Sequence, residues 1–216
     1  MSVRAVISDF GGVLTSPLIE AFATVQERSG LPAEAIGRAM AAAAATHGEN
    51  PLFVLERGEI TEREFLHRLE VPLTEDLGRE VSLHDFADVW WGALRPNVEL
   101  FDYYRTLRER GLRMILLTNN VREWEPRWRA MLPIDEVFHA VVDSAFVGIR
   151  KPDRGIYDLA IAEAGVPPAE AVFVDDVEVN VNAGAEIGLQ TVYFLETAAA
   201  ISRLEVLIGA QPTRVV

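Results

Sequence analysis

Hydrophobic positions along this 216-residue chain follow two patterns, one with the short apolar runs of buried strands and one with the wider period of helices. Near the amino terminus the run Val3-Arg4-Ala5-Val6-Ile7-Ser8 is stopped by Asp9 and then by Phe10-Gly11-Gly12. A short apolar run ended by an acid and two glycines predicts a buried parallel strand that delivers a carboxylate to the carboxyl edge of a sheet. After Thr15 the period becomes helical. Residues 18–29 read as one helix closed by Gly30 and followed by Pro32, and a second helix is expected from 32 into the alanine-rich stretch 39–45, where helix propensity is high. Further helices are expected at 51–57, 61–69 and 82–93, with Thr61-Glu62-Arg63-Glu64 as a capping box. Nothing between 16 and 95 reads as a strong strand.

Alternation of strand and helix resumes after Arg95-Pro96. Val98, Phe101, Tyr104 and Leu107 make a helical stripe over 98–110, ended by Gly111. A strand is expected at 113–117, running into Thr118-Asn119-Asn120, and a weaker one at 137–142. Helices at 154–164 and 179–187 alternate with strands at 171–174 and 191–195. Ile201, Leu204 and Ile208 mark the apolar face of a last helix, followed by a polar tail expected to fray. This βα repetition predicts the α/β class: a doubly wound parallel sheet, Rossmann-like, built from residues 1–15 and 96–216, with an all-helical insert at 16–95 after the first strand.

Composition narrows the chemistry. No apolar run approaches the ~20 residues of a membrane span, and the amino terminus lacks the basic-then-apolar order of a signal peptide, so a cytoplasmic protein is expected, as a monomer or homodimer with no membrane partner. Cysteine is absent, which removes disulfides, thiolate metal sites and cysteine nucleophiles. The net charge of −13 argues against a nucleic-acid partner, which needs a basic patch. Of 20 basic residues all are arginine except Lys151, an economy that points to a position needing a compact point charge rather than a planar guanidinium.

Four strand ends and loops carry polar groups of complementary kinds: Asp9; Thr118 and Asn119; Lys151 before Pro152 and a helix; and Asp175-Asp176 with Asn180 close behind. Each has an ordinary structural reading, as a turn or helix cap. Two adjacent carboxylates at a strand end, however, repel unless a cation or donor compensates them. Taken together, an acid nucleophile, a hydroxyl and amide, a lone ammonium and an acidic pair suit Mg²⁺-assisted phosphoryl transfer, in which a cation with oxygen ligands offsets the phosphate charge.

These residues, in this order, resemble the haloacid dehalogenase-like hydrolase superfamily. Asp9 to Leu14 is similar to its first motif, Leu117-Thr118-Asn119 to its second, Lys151-Pro152 to its third and Val174-Asp175-Asp176 to its fourth, and the insert resembles its helical cap. Asp-Phe-Gly-Gly-Val-Leu, Glu56-Arg57-Gly58-Glu59-Ile60 and the acidic pair with Asn180 are most similar to the group containing the amino-terminal phosphatase domain of soluble epoxide hydrolase. The resemblance implies that Asp9 attacks phosphorus to give an aspartyl-phosphate and that Thr118, Asn119 and Lys151 hold the substrate and its transferring oxygens. It also implies a Mg²⁺ held by Asp9, Asp176 and the carbonyl of Gly11, with Asp175 in support.

One departure matters. Superfamily phosphatases usually carry a second aspartate two residues after the nucleophile as general acid and base, and here that position is Gly11. The expected function is therefore a phosphatase of small phosphorylated metabolites favouring good leaving groups such as acyl, sugar-1- or aryl phosphates. A catalytically weak phospholigand-binding or regulatory protein is the second reading and a 2-haloacid dehalogenase the third. His47, Glu20 and Glu56 are the insert residues available to replace the missing acid, each more readily read as a surface residue. Trp90, Trp91 and Trp124 are expected to pack in the core or hinge rather than line a pocket.

Overall fold

The computed structural model, which describes residues 2–209, begins with strand β1 (Ala5–Ser8), buried throughout. Helices α1 (Leu18–Arg28), α2 (Ala35–His47), α3 (Pro51–Glu56), α4 (Glu62–Leu77) and α5 (Phe86–Ala93) follow before the next strand. Thr15 and Pro96 pair in an isolated antiparallel bridge at the neck of this helical stretch. The chain continues through α6 (Val98–Glu109), β2 (Arg113–Thr118), α7 (Glu125–Met131), α8 (Ile134–Val137), β3 (Ala140–Asp143) and α9 (Ser144–Val147). It ends with α10 (Arg154–Ala164), β4 (Ala171–Asp175), α11 (Glu178–Ile187), β5 (Gln190–Tyr193) and α12 (Thr197–Gly209).

The strands form one parallel sheet in the order β3-β2-β1-β4-β5. Side chains leave both of its faces. Val6, Met114, Leu116, Val172 and Val174 pack on one side with Leu100, Tyr104 and Leu204, from α6 and α12. Ile7, Ile115, Leu117 and Phe173 pack on the other with Ile156, Tyr157 and Ala160 of α10. Covering both faces is why these strands are continuously apolar rather than alternating. The chain lays β1, β2 and β3 to one side and then returns to place β4 and β5 on the other, so the winding reverses beside β1. In such sheets ligands bind in the crevice at the carboxyl ends of the strands flanking that reversal.

Several boundaries differ from expectation for identifiable reasons. Helix α2 starts at Ala35 because Glu34 takes a left-handed conformation, φ 67°, that cannot lie inside a helix. Helix α4 runs on to Leu77 through Pro72: the proline forfeits one backbone bond, but Phe65, Leu69 and Leu73 bury a continuous face. Of its capping box the forward half forms, with the Thr61 hydroxyl accepting from the Glu64 N–H, while the Glu64 carboxylate pairs with Arg68. Helix α5 starts at Phe86 because the residues before it are non-helical, ending in a turn in which the Phe86 N–H donates to the Leu83 carbonyl, and are held where Glu70 accepts from the Leu83 N–H and Thr74 from the Val81 N–H. The strand expected at 137–142 divides into α8 and β3, with His139 bonded to both polar backbone groups of Met114 between them. Pro152, expected at the start of α10, precedes the cap residue Asp153 instead, and the Lys151–Pro152 peptide is cis. The polar tail lies outside the described residues.

Candidate active site

Register brings the polar strand ends to one place. Ser8 is level with Leu116 and Val174, so Asp9, one residue on, stands beside the ends of β2 and β4, and its N–H donates to the Val174 carbonyl. Lys151, 1% exposed, enters this point from the loop before α10. Its Nζ lies 2.7 Å from Asp9 Oδ1 and 2.7 Å from Asp175 Oδ2, and donates to the Leu117 carbonyl at 3.0 Å. All three ammonium protons therefore have acceptors. The aim of Lys151 is set by Asn119, whose amide donates to the Lys151 carbonyl (3.1 Å) and accepts from the Lys151 N–H (2.8 Å). Asn119 is thus engaged with the backbone of the lysine loop, a positioning contact that its place in a polar turn did not reveal.

Asp175, fully buried, is fixed on both oxygens. Oδ1 accepts from the Val177 N–H (2.8 Å) and from Asn180 Nδ2 (3.1 Å), while Oδ2 takes Lys151. Asn180 therefore orients the acid rather than capping a helix. Asp176 is half-buried and projects toward Gly12. At φ +78° Gly12 adopts a conformation that side chains disfavour, and a Cβ there would lie 2.0 Å from Asp176 Oδ2. Gly12 was not a candidate from sequence; the signal was the second of two glycines where a single one suffices for a turn.

One carboxylate oxygen from each of Asp9, Asp175 and Asp176 lies within 4.8 Å of the others. Three acids thus cluster beside a single ammonium, with Asp9 and Asp175 in contact with it. Burial is the main cause that pushes the Asp9 carboxyl up to about 8, with repulsion from Asp175 and Asp176 adding and Lys151 opposing. Burial, then Asp175, pushes Asp176 up to about 6. Burial works against the charge on Lys151, but the attraction of Asp175 and Asp9 raises it, so the ammonium stays charged. This excess of buried negative charge on hard oxygen donors is the environment a Mg²⁺ ion satisfies. The Thr118 hydroxyl is buried with no hydrogen-bond partner among the described residues, a donor left for a further oxygen. The donor set therefore fits both a divalent cation and a phosphoryl group.

Beside the cluster is a partly open cavity of about 90 Å³ whose floor includes Phe10, Gly11 and Asn119 and whose walls come from the helical stretch and the start of the segment after β2. Trp90, Trp91 and Trp124 all line it. The expectation that they serve only core or hinge packing is corrected here: Trp90 and Trp124 are buried, stacked 6.0 Å apart, and at the same time form the wall. Of the insert acids and bases considered as replacements at position 11, Glu56 lines the cavity, His47 is exposed elsewhere, and Glu20 is exposed and paired with Arg95. The Glu56 carboxylate is 2.6 Å from Arg150, whose guanidinium lies 3.9 Å over the Phe53 ring. Burial pushes Glu56 upward against the pull of Arg150.

Asp143, at the same sheet edge, belongs to the scaffold. Its Oδ1 accepts from the Ala145 N–H to start α9, while Oδ2 is buried without a partner among the described residues. Burial pushes this carboxyl up to about 6. Between about pH 4 and 6 the folded chain holds a proton that the unfolded chain has lost, so stability falls as pH rises through that window, by on the order of 3 kcal/mol. Asp143→Asn keeps the acceptor and removes the charge. It is expected to stabilise the protein by about 1–2 kcal/mol at pH 8 and by almost nothing at pH 4, read from urea unfolding at the two values.

Comparison with known proteins places the chain in a family and supports the fold. A family model described as haloacid dehalogenase-like hydrolase matches residues 3–188. Bifunctional epoxide hydrolase 2 of Sus scrofa is 26% identical over 98% of the chain, which spans only 40% of that relative. D-ribitol-5-phosphate phosphatase of Bacteroides thetaiotaomicron is 30% identical over 63% of the chain and 68% of its own length. Among solved structures, the HAD family enzyme bt-2542 from Bacteroides thetaiotaomicron, in complex with magnesium and inorganic phosphate, superposes with a TM-score of 0.68 at 22% identity, covering 91% of this chain and 96% of that one. Among the described residues no helix is long and apolar enough to cross a membrane.

Proposed function

The chain belongs to the haloacid dehalogenase-like hydrolase family, and from that premise we propose that it is a Mg²⁺-dependent phosphatase of small phosphorylated metabolites. The observation that carries this reading is the cluster of Asp9, Asp175 and Asp176, the first two paired with the Lys151 ammonium, together with the unpartnered Thr118 hydroxyl. Asp9 is the nucleophile: a carboxylate oxygen attacks phosphorus, the bond to the leaving oxygen breaks, and water later hydrolyses the aspartyl-phosphate to regenerate Asp9. Thr118, with Asn119 beside it, donates to the phosphoryl oxygens, and Lys151 offsets charge on Asp9. Asp9, Asp176 and the Gly11 carbonyl would hold Mg²⁺, with Asp175 in support; the ion supplies neutralisation of charge as anion meets anion. The helical stretch 16–95 acts as the lid that excludes water and meets the leaving group.

With glycine at position 11 no acid stands there to protonate the departing oxygen, help typically worth ~10²–10⁴-fold. Leaving groups that depart as stable anions are accordingly favoured. A 2-haloacid substrate suits the site less, because its carboxylate would meet three clustered acids offset by a single ammonium. With acetyl phosphate or an aryl phosphate as substrate, chelation with EDTA is expected to reduce turnover at least ~10²-fold, and excess Mg²⁺ to restore it. Turnover that persists undiminished in chelator would overturn the metal's part. A folded protein that binds phosphate and turns over neither substrate with Mg²⁺ present would instead support the binding or regulatory reading.

A further inference from the structure

Resting on the phosphatase reading, we propose that the substrate is the phosphate monoester of a small, uncharged phenol, with its ring seated in the aromatic cavity. Location comes first. Phe10 and Gly11 directly follow Asp9 and Asn119 follows Thr118, so the organic part of an ester attacked by Asp9 has this cavity beside it. Its lining then decides polarity. Among the described residues Glu56 is the ionisable side chain there, already paired with Arg150, and none that lines the space is cationic. Of the other polar side chains, Thr15 is engaged with Gly12 and Ser16, Asn120 with the Val121 N–H and Asn119 with Lys151, which leaves the buried Trp91 indole N–H as a lining donor without a partner among the described residues. A sugar's hydroxyls or a second anionic group would be desolvated there with few partners.

Shape and chemistry narrow the class further. Trp124 is stacked with Phe86 and Trp90 and met edge-on by Trp91, while Phe22 lies edge-on to Trp90 at 4.6 Å, so the walls present ring faces and edges suited to another ring. At about 90 Å³ the cavity is smaller than the ~150 Å³ void that takes up benzene in another protein, but it is partly open, which admits one ring and no fused system. The absence of an acid at Gly11 independently demands a leaving group that departs unprotonated, and a phenol, with a pKa near ~10, does so far more readily than an aliphatic alcohol. The balance is simple: Asp9 forms a bond to phosphorus, the aryl oxygen leaves with the electron pair as phenolate, and solvent supplies its proton. A wider groove of about 480 Å³ reaches Asp176 from the neck, past Arg95 and Glu196, but its charged rim offers no such match for an apolar ring.

The test measures kcat/KM with Mg²⁺ for 4-methylphenyl phosphate, 4-carboxyphenyl phosphate, glucose 1-phosphate and acetyl phosphate, using Asp9→Asn as control, together with 4-cresol titrated against intrinsic tryptophan fluorescence. The methylphenyl ester is expected to exceed the carboxyphenyl ester by ~30-fold or more, although the latter has the better leaving group, because its charge enters an apolar space. Cresol alone is expected to perturb the tryptophans. Phe22→Ala should raise KM for methylphenyl phosphate ~10-fold with a smaller change in kcat, and affect acetyl phosphate less. Parity of the two aryl esters, a preference for glucose 1-phosphate, no response to cresol, or indifference to Phe22→Ala overturns the assignment. If acetyl phosphate is turned over through Asp9 without an aryl preference, the phosphatase reading stands and this proposal falls. If none of the four phosphates is turned over, both fall.

Discussion

Asp9→Asn is expected to abolish ester turnover, by at least about 10⁴-fold in kcat, while leaving the fold intact. The amide replaces the attacking carboxylate with a group that is no nucleophile toward phosphorus, yet its oxygen still accepts from Lys151 Nζ, which sits 2.7 Å from Asp9 Oδ1. Stability should hardly suffer. Asp9 is one of three clustered acids, two of which share one ammonium, and burial has already pushed its carboxyl up to about 8, so the substitution removes an ill-solvated charge rather than a stabilising one. The melting temperature at pH 8 is expected to match or exceed that of the wild type. Cation affinity should fall, since one of the three carboxylates is lost. Turnover within tenfold of wild type, measured with Mg²⁺ on an aryl phosphate, would place the nucleophile elsewhere, Asp176 being the next acid at hand.

The parts of this site that were legible in the sequence are those that depend on local pattern. Met114 to Leu117 and Val172 to Val174 are apolar without interruption because their strands are covered on both faces, and each ends in the polar residues that reach the sheet edge. Parallel register then brings Asp9 level with Asp175 without further specification. What was hidden depends on contacts between distant segments. The bond from Asn119 to the Lys151 backbone joins residues 32 apart, and neither residue's neighbours announce it. Trp90 and Trp124 sit in apolar surroundings whether they fill a core or wall a cavity, and only the packing of the helical stretch against the segment after β2 makes them both. Gly12 was visible as a turn residue, but its purpose, room for Asp176, appears only when β4 is placed beside β1.

Lys151→Met carries the largest expected loss of stability. The methionine matches the aliphatic stem but leaves Asp9 Oδ1, Asp175 Oδ2 and the Leu117 carbonyl without their common donor. Removing one partner of a buried ion pair typically costs 3–5 kcal/mol, because the remaining charge stays buried and uncompensated. For a chain of this size that lowers the melting temperature by about 6–20 °C. The sign of the pH dependence follows. Without the ammonium, which opposes its rise, the Asp9 carboxyl is raised further in the folded state, so the folded chain holds a proton that the unfolded chain releases above about pH 4, and stability falls as pH rises. The deficit relative to wild type should therefore be small at pH 5 and greatest near pH 8. Asp175→Asn added to Lys151→Met is expected to recover part of it, since it removes one of the orphaned charges, giving a double variant less destabilised than the sum of the two single ones. Turnover should fall ~10³-fold at the same time, as Asp9 loses the charge that holds it ionised and in place. A variant that melts within 2 °C of wild type across this pH range would show the ammonium to be dispensable to the fold; the arrangement of three acids would then owe its order to Asn180 and the backbone donor of Val177 instead.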